Sequence, residues 1–512
     1  MKTRLLIALA ISCILLPSLA QSQSLTSLAS LRVRYNSLKV RTEPVGELKA
    51  QLDILDAELV EAAQLGQTGE MRRLLAKGNV LLNGQTWSDV TEFSNSLVLR
   101  SDRVVVDPAE SYAVRLEQIY RPAITINAPL SARVSLNRAP VSQGQGQGQG
   151  QGQAESVKAF GEFVGVSRDL RESPYFFDLD LTAVPDGNYL LQVEVAEGDR
   201  PLGTSQLQIT VKQGLNALIA RLEQGAAAAP AALQADILYP IDRMRQVNRG
   251  RLELRTFNPG DDFANAEAVL AAVTAGKDPF AARTGDFKRH YMLESANEIM
   301  PYRLYIPSSY DPNRGAPLIV ALHGLGGTEN SFFENYNADF PKLAEQHGYI
   351  VAAPLGYRVD GSYGWGLGNP PADPNVQFVQ ARSEEDVMQV LGLVQKHYKI
   401  DPQRIYLTGH SMGAIGTWKV AAKFPDVWAA IGMFAGAGTP ATLSQMQHIP
   451  QYVVHGDADP TVSVEGSRSM VARMQELEMT RQYIEVPGGD HSNVVAPNFP
   501  GLFMFFDKYT KQ

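Results

Sequence analysis

Residues 409–413 read Gly-His-Ser-Met-Gly, and Ser411 is the residue whose setting best suits a nucleophile. A short β-rich apolar run precedes it at 404–408, and an Ala-rich helical pattern follows at 414–424, stopped by Pro425. A serine on a tight turn between strand and helix needs small neighbours, and Gly409 and Gly413 meet that need. A serine hydroxyl is a weak nucleophile until a base removes its proton, and the base in turn needs a carboxylate to orient it. Acid and base are expected to follow the serine in that order. The stretch His455-Gly456-Asp457-Ala458-Asp459-Pro460 supplies two aspartates after a β run. Asp459 is preferred, because the turn into Pro460 would hold its carboxylate at a strand exit, with Asp457 as the alternative. Of the eight histidines only His491 lies beyond them, in a Gly-Gly-Asp-His loop after the last strand.

Acyl transfer also needs N–H donors for the developing oxyanion. His323-Gly324-Leu325-Gly326-Gly327 leaves an apolar strand at 318–322, and a glycine-rich exit lets the main chain turn toward the serine. The expected donors are the N–H groups of Leu325 and Met412. The long loop at 357–371 carries Tyr357, Tyr363 and Trp365, which are candidate walls of a substrate pocket. His410 and His455 read as structural, the first beside the elbow and the second closing a strand. The chemistry calls for no metal and no organic cofactor. The single cysteine, Cys13, lies in the leader-like segment, so a thiolate nucleophile or Cys-ligated metal is not expected in the rest of the chain.

Such residues must be held at strand ends. From residue 302, strand patterns at 302–306, 318–322, 349–353, 405–407, 429–434, 451–454 and 482–486 alternate with helical patterns at 332–347, 383–398, 415–424 and 464–477. That alternation predicts an α/β domain over 286–512, a doubly wound and mainly parallel sheet with ligands beyond the strands' C-terminal ends.

The 512 residues are too many for one core. Residues 1–20 have Lys2 and Arg4, then an apolar run, then Ser18-Leu19-Ala20, the layout of a secretory leader cut after Ala20. A secreted or periplasmic protein is therefore expected, without a transmembrane helix, since no later stretch approaches ~20 apolar residues. Leucines at three- and four-residue steps predict a helical hairpin or bundle within 21–95. Alternating patterns predict a β-sandwich of about seven strands over 96–213, with a Gln/Gly loop at 143–153. Residues 214–285 read as a helical bridge in which Asp261 caps a helix. A net charge of −8 argues against nucleic-acid binding.

Residues from about 290 to 510 resemble the α/β-hydrolase superfamily. They are most similar to secreted bacterial esterases of the polyhydroxybutyrate-depolymerase and feruloyl-esterase type, and to prolyl-oligopeptidase-like peptidases. The resemblance implies Ser411 as nucleophile, Asp459 as acid, His491 as base and the loop from His323 to Gly327 as oxyanion loop. The strand pattern at 96–213 resembles the immunoglobulin-like modules found in front of secreted bacterial hydrolases, and that resemblance implies N-terminal modules that cap the site or join copies of the chain. The expected activity is cleavage of small or polymeric carboxylic esters through an acyl-enzyme. An exported serine peptidase is the alternative, and a non-catalytic surface protein using the sandwich is a third reading.

Overall fold

The computed structural model describes residues 28–139, 156–252 and 257–511. The leader-like segment at 1–20 and the Gln/Gly run at 143–153 lie outside them. Four helices come first: α1 Leu28–Thr42, α2 Gly46–Gln64, α3 Thr68–Leu82 and α4 Asp89–Ser96. Leu31 and Tyr35, Leu52, Leu55 and Leu59, and Leu74 and Leu75 meet in one small core, each helix presenting its apolar stripe to the others.

Eight strand segments follow: β1 Leu97–Arg100, β2 Val105–Val106, β3 Tyr112–Gln118, β4 Leu130–Arg138, β5 Ser156–Val166, β6 Tyr175–Leu179, β7 Gly187–Glu197 and β8 Arg200–Val211. They form a sheet of order β1-β3-β6 and another of order β2-β8-β7-β4-β5. Tyr189, Leu191, Val193 and Val195 of β7 enter the same core as Tyr112, Val114 and Leu116 of β3. Alternation with period two thus lines one buried face on each sheet.

Helices α5 Leu215–Ala228, α6 Ala231–Asn248 and α7 Pro259–Thr274 come next. The helix expected to be capped by Asp261 begins instead at Pro259, because proline's fixed φ suits a first turn, and Asn258 stands at the cap. This segment does more than bridge. Leu218, Leu222, Ile237, Ile241 and Phe263 share a core with the sheet that follows.

That sheet and its helices comprise β9 Gly285–Leu293, β10 Glu298–Ile306, β11 Ala316–Leu322, α8 Ser331–Glu334, α9 Asp339–His347, β12 Ile350–Pro354, α10 Pro374–His397, β13 Ile400–His410, α11 Met412–Lys423, β14 Ala430–Phe434, β15 Gln451–Gly456, α12 Glu465–Glu476, β16 Arg481–Val486 and α13 Phe499–Phe506. The order is β16-β15-β14-β13-β11-β12-β10-β9. Pairs from β12 to β16 are parallel, while β10 runs antiparallel to β12 and to β9. Leu318, Val320 and Leu322 of β11 enter one core and Ile319 and Ala321 the other, as a strand covered on both faces requires. Two helical expectations shift. The helix read at 332–347 is broken, because Tyr336, Asn337 and Ala338 take left-handed φ of 57°, 58° and 54°. Helix α10 starts well before residue 383, at Pro374, where Asp373 accepts a bond from Asn375 N at 2.8 Å.

Candidate active site

The central strand β13 ends at His410, and α11 begins at Met412, so a single residue makes the whole turn. Ser411 has φ 57° and ψ −119°, a conformation in which an L-residue is strained. Close packing holds it there. A Cβ on Gly409 would lie 2.3 Å from Gly413 C, and one on Gly413 would lie 1.9 Å from Leu322 O. Neither distance is compatible with any side chain, which is the steric content of the Gly-x-Ser-x-Gly spacing.

The turn aims Ser411 Oγ at His491 Nε2, 2.8 Å away. The other ring nitrogen, Nδ1, lies 2.7 Å from Asp459 Oδ2. Asp459 follows β15 and His491 follows β16, and these adjacent parallel strands bring the two loops together. The loops cross so closely that a Cβ on Gly456 would lie 2.0 Å from Gly489 O. Asp459 Oδ1 accepts the N–H groups of Thr461 (2.8 Å) and Val462 (3.0 Å). Burial alone would raise the Asp459 carboxyl, but hydrogen bonds from His455, His491 and the Val462 N–H outweigh it and hold the group well below the usual carboxylate range. An ionised carboxylate, an imidazole and a hydroxyl in line can move the serine's proton onto the ring. Asp457, the alternative acid, instead accepts from Gly488 N at 2.6 Å and fastens the turn before His491.

The glycine-rich loop after β11 abuts the serine: a Cβ on Gly324 would lie 3.3 Å from Ser411 Cβ. Gly326 N donates to Val359 O (2.8 Å) and Gly327 N to Gly324 O (2.9 Å), so the N–H groups of both are used in shaping the loop. Leu325 is 44% exposed at its tip. The ring of His323 is buried, with Nδ1 2.8 Å from Gly324 O and Nε2 2.7 Å from Leu355 O, and burial lowers its proton affinity.

Of the three aromatic residues expected to line a pocket, Tyr357 and Tyr363 are inside the domain. Tyr363 donates its hydroxyl proton to His323 O at 3.1 Å, and Tyr357 donates to Glu298 at 3.2 Å. Both brace the loop from within, on backbone with left-handed φ of 60° and 53°. Trp365 alone is half-exposed, with Lys423 over its ring at 5.6 Å. The strained loop is held by α10: Ser383 Oγ accepts from Tyr363 N (3.0 Å) and Asp386 Oδ2 from Tyr357 N (2.9 Å). Burial pushes the Asp386 carboxyl up to about 6. Nothing in the local spacing of Ser383 and Asp386 signals this part; it depends on a tertiary contact.

Two histidines read as structural also touch the site. His410 Nε2 lies 2.9 Å from His491 O, and its Nδ1 lies 2.9 Å from Tyr336 OH. Since a carbonyl only accepts, Nε2 carries the proton and Tyr336 donates to Nδ1. Burial first, and then the neighbouring His491, push His410 down to about 4. His455 meets Asp459 directly, its Nε2 3.1 Å from Oδ2. Its four-residue spacing from Asp459 was the available signal.

Residues 294–486 match a family model described as "Putative esterase", which takes in Ser411 and Asp459 and ends just before His491. A bifunctional acetylxylan esterase/xylanase from Neocallimastix patriciarum is 27% identical over 160 residues, 31% of this chain and 21% of that one. Feruloyl esterase B from Talaromyces funiculosus is 29% identical over 130 residues, 25% of this chain and 35% of its own. The chain therefore spans between about a fifth and about a third of the length of these relatives. Among solved structures, a thermostable esterase aligns at 18% identity and TM-score 0.38, covering 78% of this chain and 95% of that one. Over its C-terminal half the chain resembles α/β-hydrolase serine esterases of the acetylxylan and feruloyl esterase kind.

Proposed function

We propose that this protein hydrolyses carboxylic esters through an acyl-enzyme on Ser411. The observation that carries the reading is the continuous Ser411–His491–Asp459 line, at 2.8 Å and 2.7 Å, on a strained strand–helix turn. His491 takes the Ser411 proton as Oγ attacks the ester carbonyl, and Asp459 holds the ring and balances its new charge. The N–H groups of Leu325 and Met412 receive the oxyanion; Met412 opens α11, where helix N–H groups are free and the dipole favours negative charge. The tetrahedral adduct collapses with loss of the alkoxide, which takes its proton from His491. Water, deprotonated by the same ring, then releases the acid and restores the serine.

The names of the relatives make acetylated xylan and feruloyl esters the first substrates to assay. The reading includes export, resting on the layout of residues 1–20, and an immunoglobulin-like character for the sandwich. The latter is supported by Tyr189 at the start of β7, whose hydroxyl donates back to Pro185 O at 2.8 Å, as a tyrosine corner does. Among the described residues no helix is long and apolar enough to cross a membrane. The test is hydrolysis of p-nitrophenyl acetate, methyl ferulate and a prolyl-p-nitroanilide by wild type and Ser411→Ala. Turnover of the esters by wild type only is expected; turnover of the anilide alone would replace the ester reading with a peptidase.

A further inference from the structure

We propose that His455 is a positioning residue for Asp459, a second histidine on the acid that sets how strongly the carboxylate holds His491. The inference rests on the reading of Ser411, His491 and Asp459 given above. Asp459 Oδ2 is shared: His491 Nδ1 lies 2.7 Å from it and His455 Nε2 lies 3.1 Å from it. With Thr461 N and Val462 N on Oδ1, the four acceptor positions of the carboxylate are filled.

His455 is itself locked. Its Nε2 also lies 2.9 Å from Val462 O, and its Nδ1 lies 2.7 Å from Ser467 Oγ of α12, a hydroxyl 3.0 Å from Gly436 O. A carbonyl and an ionised carboxylate can only accept, so Nε2 carries the proton and donates it. The side chains of His455 and Asp459 are both 0% exposed, whereas that of His491 is 14% exposed. The donor that water would otherwise supply to Oδ2 is thus built into the fold.

Two consequences follow. Oδ2 cannot swing away when His491 changes charge, because a second N–H holds it. That N–H also draws on the carboxylate's charge, which weakens its grip on the imidazolium that His491 forms on taking the Ser411 proton. The other ionisable groups packed around the pair are His410 before the elbow, Asp457 and Asp490 in the two loops, and Glu485 of β16. Glu485 is paired with Arg468 of α12 and Asp457 and Asp490 accept local N–H groups. None of these replaces the His455 contact.

The test is the rate of fluorophosphonate labelling of the full chain between about pH 4 and about pH 9, for wild type, Ser411→Ala, His455→Leu and His455→Gln. Leucine fills the space without a donor, while glutamine can place an amide N–H near the position of Nε2. For His455→Leu the midpoint of the acid limb should rise by about 0.5–1 pH unit and the plateau rate fall about 10-fold. His455→Gln should recover most of both. A His455→Leu profile superposable on wild type, or equal shifts for the leucine and glutamine variants, would overturn the proposal. If His455→Leu does not fold, Ser467→Ala, which frees the far edge of the ring, should shift the midpoint in the same direction by a smaller amount; an unmoved midpoint would count against the proposal. Equal labelling of wild type and Ser411→Ala would instead sink the reading of Ser411 itself, whatever His455 does.

Discussion

Two aspartate–histidine contacts lie at opposite edges of one sheet. At β15 and β16, Asp459 Oδ2 lies 2.7 Å from His491 Nδ1. Near β9, Asp236 Oδ1 lies 3.0 Å from His290 Nδ1, while its Oδ2 accepts from Arg289 Nε at 3.0 Å. The first ring points its free nitrogen at a serine, 2.8 Å away. The second stacks on Tyr239 at 3.9 Å, and its Nε2 has no hydrogen-bond partner among the described residues. An Asp–His pair is therefore not a catalytic signature by itself. At β9 the carboxylate ties α6 to the sheet; at β15 the same contact sits at a strand exit, beside an elbow.

Substitutions should separate the pairs, beginning with the largest effect. Asp459→Asn should lower kcat/KM for an ester by ~10³–10⁴-fold, because the ring loses its orienting charge, and should lower the melting temperature as well, because an amide NH2 would face the donors that the buried carboxylate accepts. Asp236→Asn should affect stability alone. Breaking a buried ion pair costs about 3–5 kcal/mol, so the melting temperature should fall clearly while activity per folded molecule is retained. A matching loss of activity in Asp236→Asn would mean the two edges are coupled.

A smaller effect is expected where the oxyanion loop is braced. Tyr363→Phe removes the hydroxyl donated to His323 O, leaving that buried carbonyl without this donor. A kcat decrease of about 5–10-fold with KM nearly unchanged would fit loss of transition-state contacts alone. His410 tests the site through pH. The unfolded chain takes up its proton near pH 6.5, but the folded ring does so only at about 4. Its contribution to stability is thus full above about pH 6.5 and is lost as pH falls through that window. His410→Gln should flatten that part of a stability-versus-pH curve measured by urea unfolding. The smallest expected change is in Trp365→Ala, which should alter relative specificity constants across p-nitrophenyl ester chain lengths by a few fold.

The same contrast explains what could be read from the amino-acid sequence. That Ser411, Asp459 and His491 would meet was legible because each follows an apolar run, the serine and histidine beside glycines and the aspartate before Pro460, and because topology imposes their order. The alternation of strands and helices was legible for the same reason. Strand β9 was not, since Arg289 and His290 interrupt its apolar pattern, and their burial is tolerable through Asp236 and Ala232 O on a helix far off in the sequence. Tyr357 and Tyr363 looked like pocket walls because composition says nothing of the distant partners, Glu298 and His323 O, that take their hydroxyls inside the domain. The break at Tyr336–Ala338 was hidden too. Contacts that span the chain, such as Asp386 beneath residue 357, have no local signature at all.

Whether Ser411 is the nucleophile is decided by mass spectrometry of fluorophosphonate-treated protein. A single adduct is expected on the peptide containing Ser411 in wild type, absent from Ser411→Ala. An adduct on another residue, equal labelling of the two proteins, or an unlabelled wild type would contradict that role.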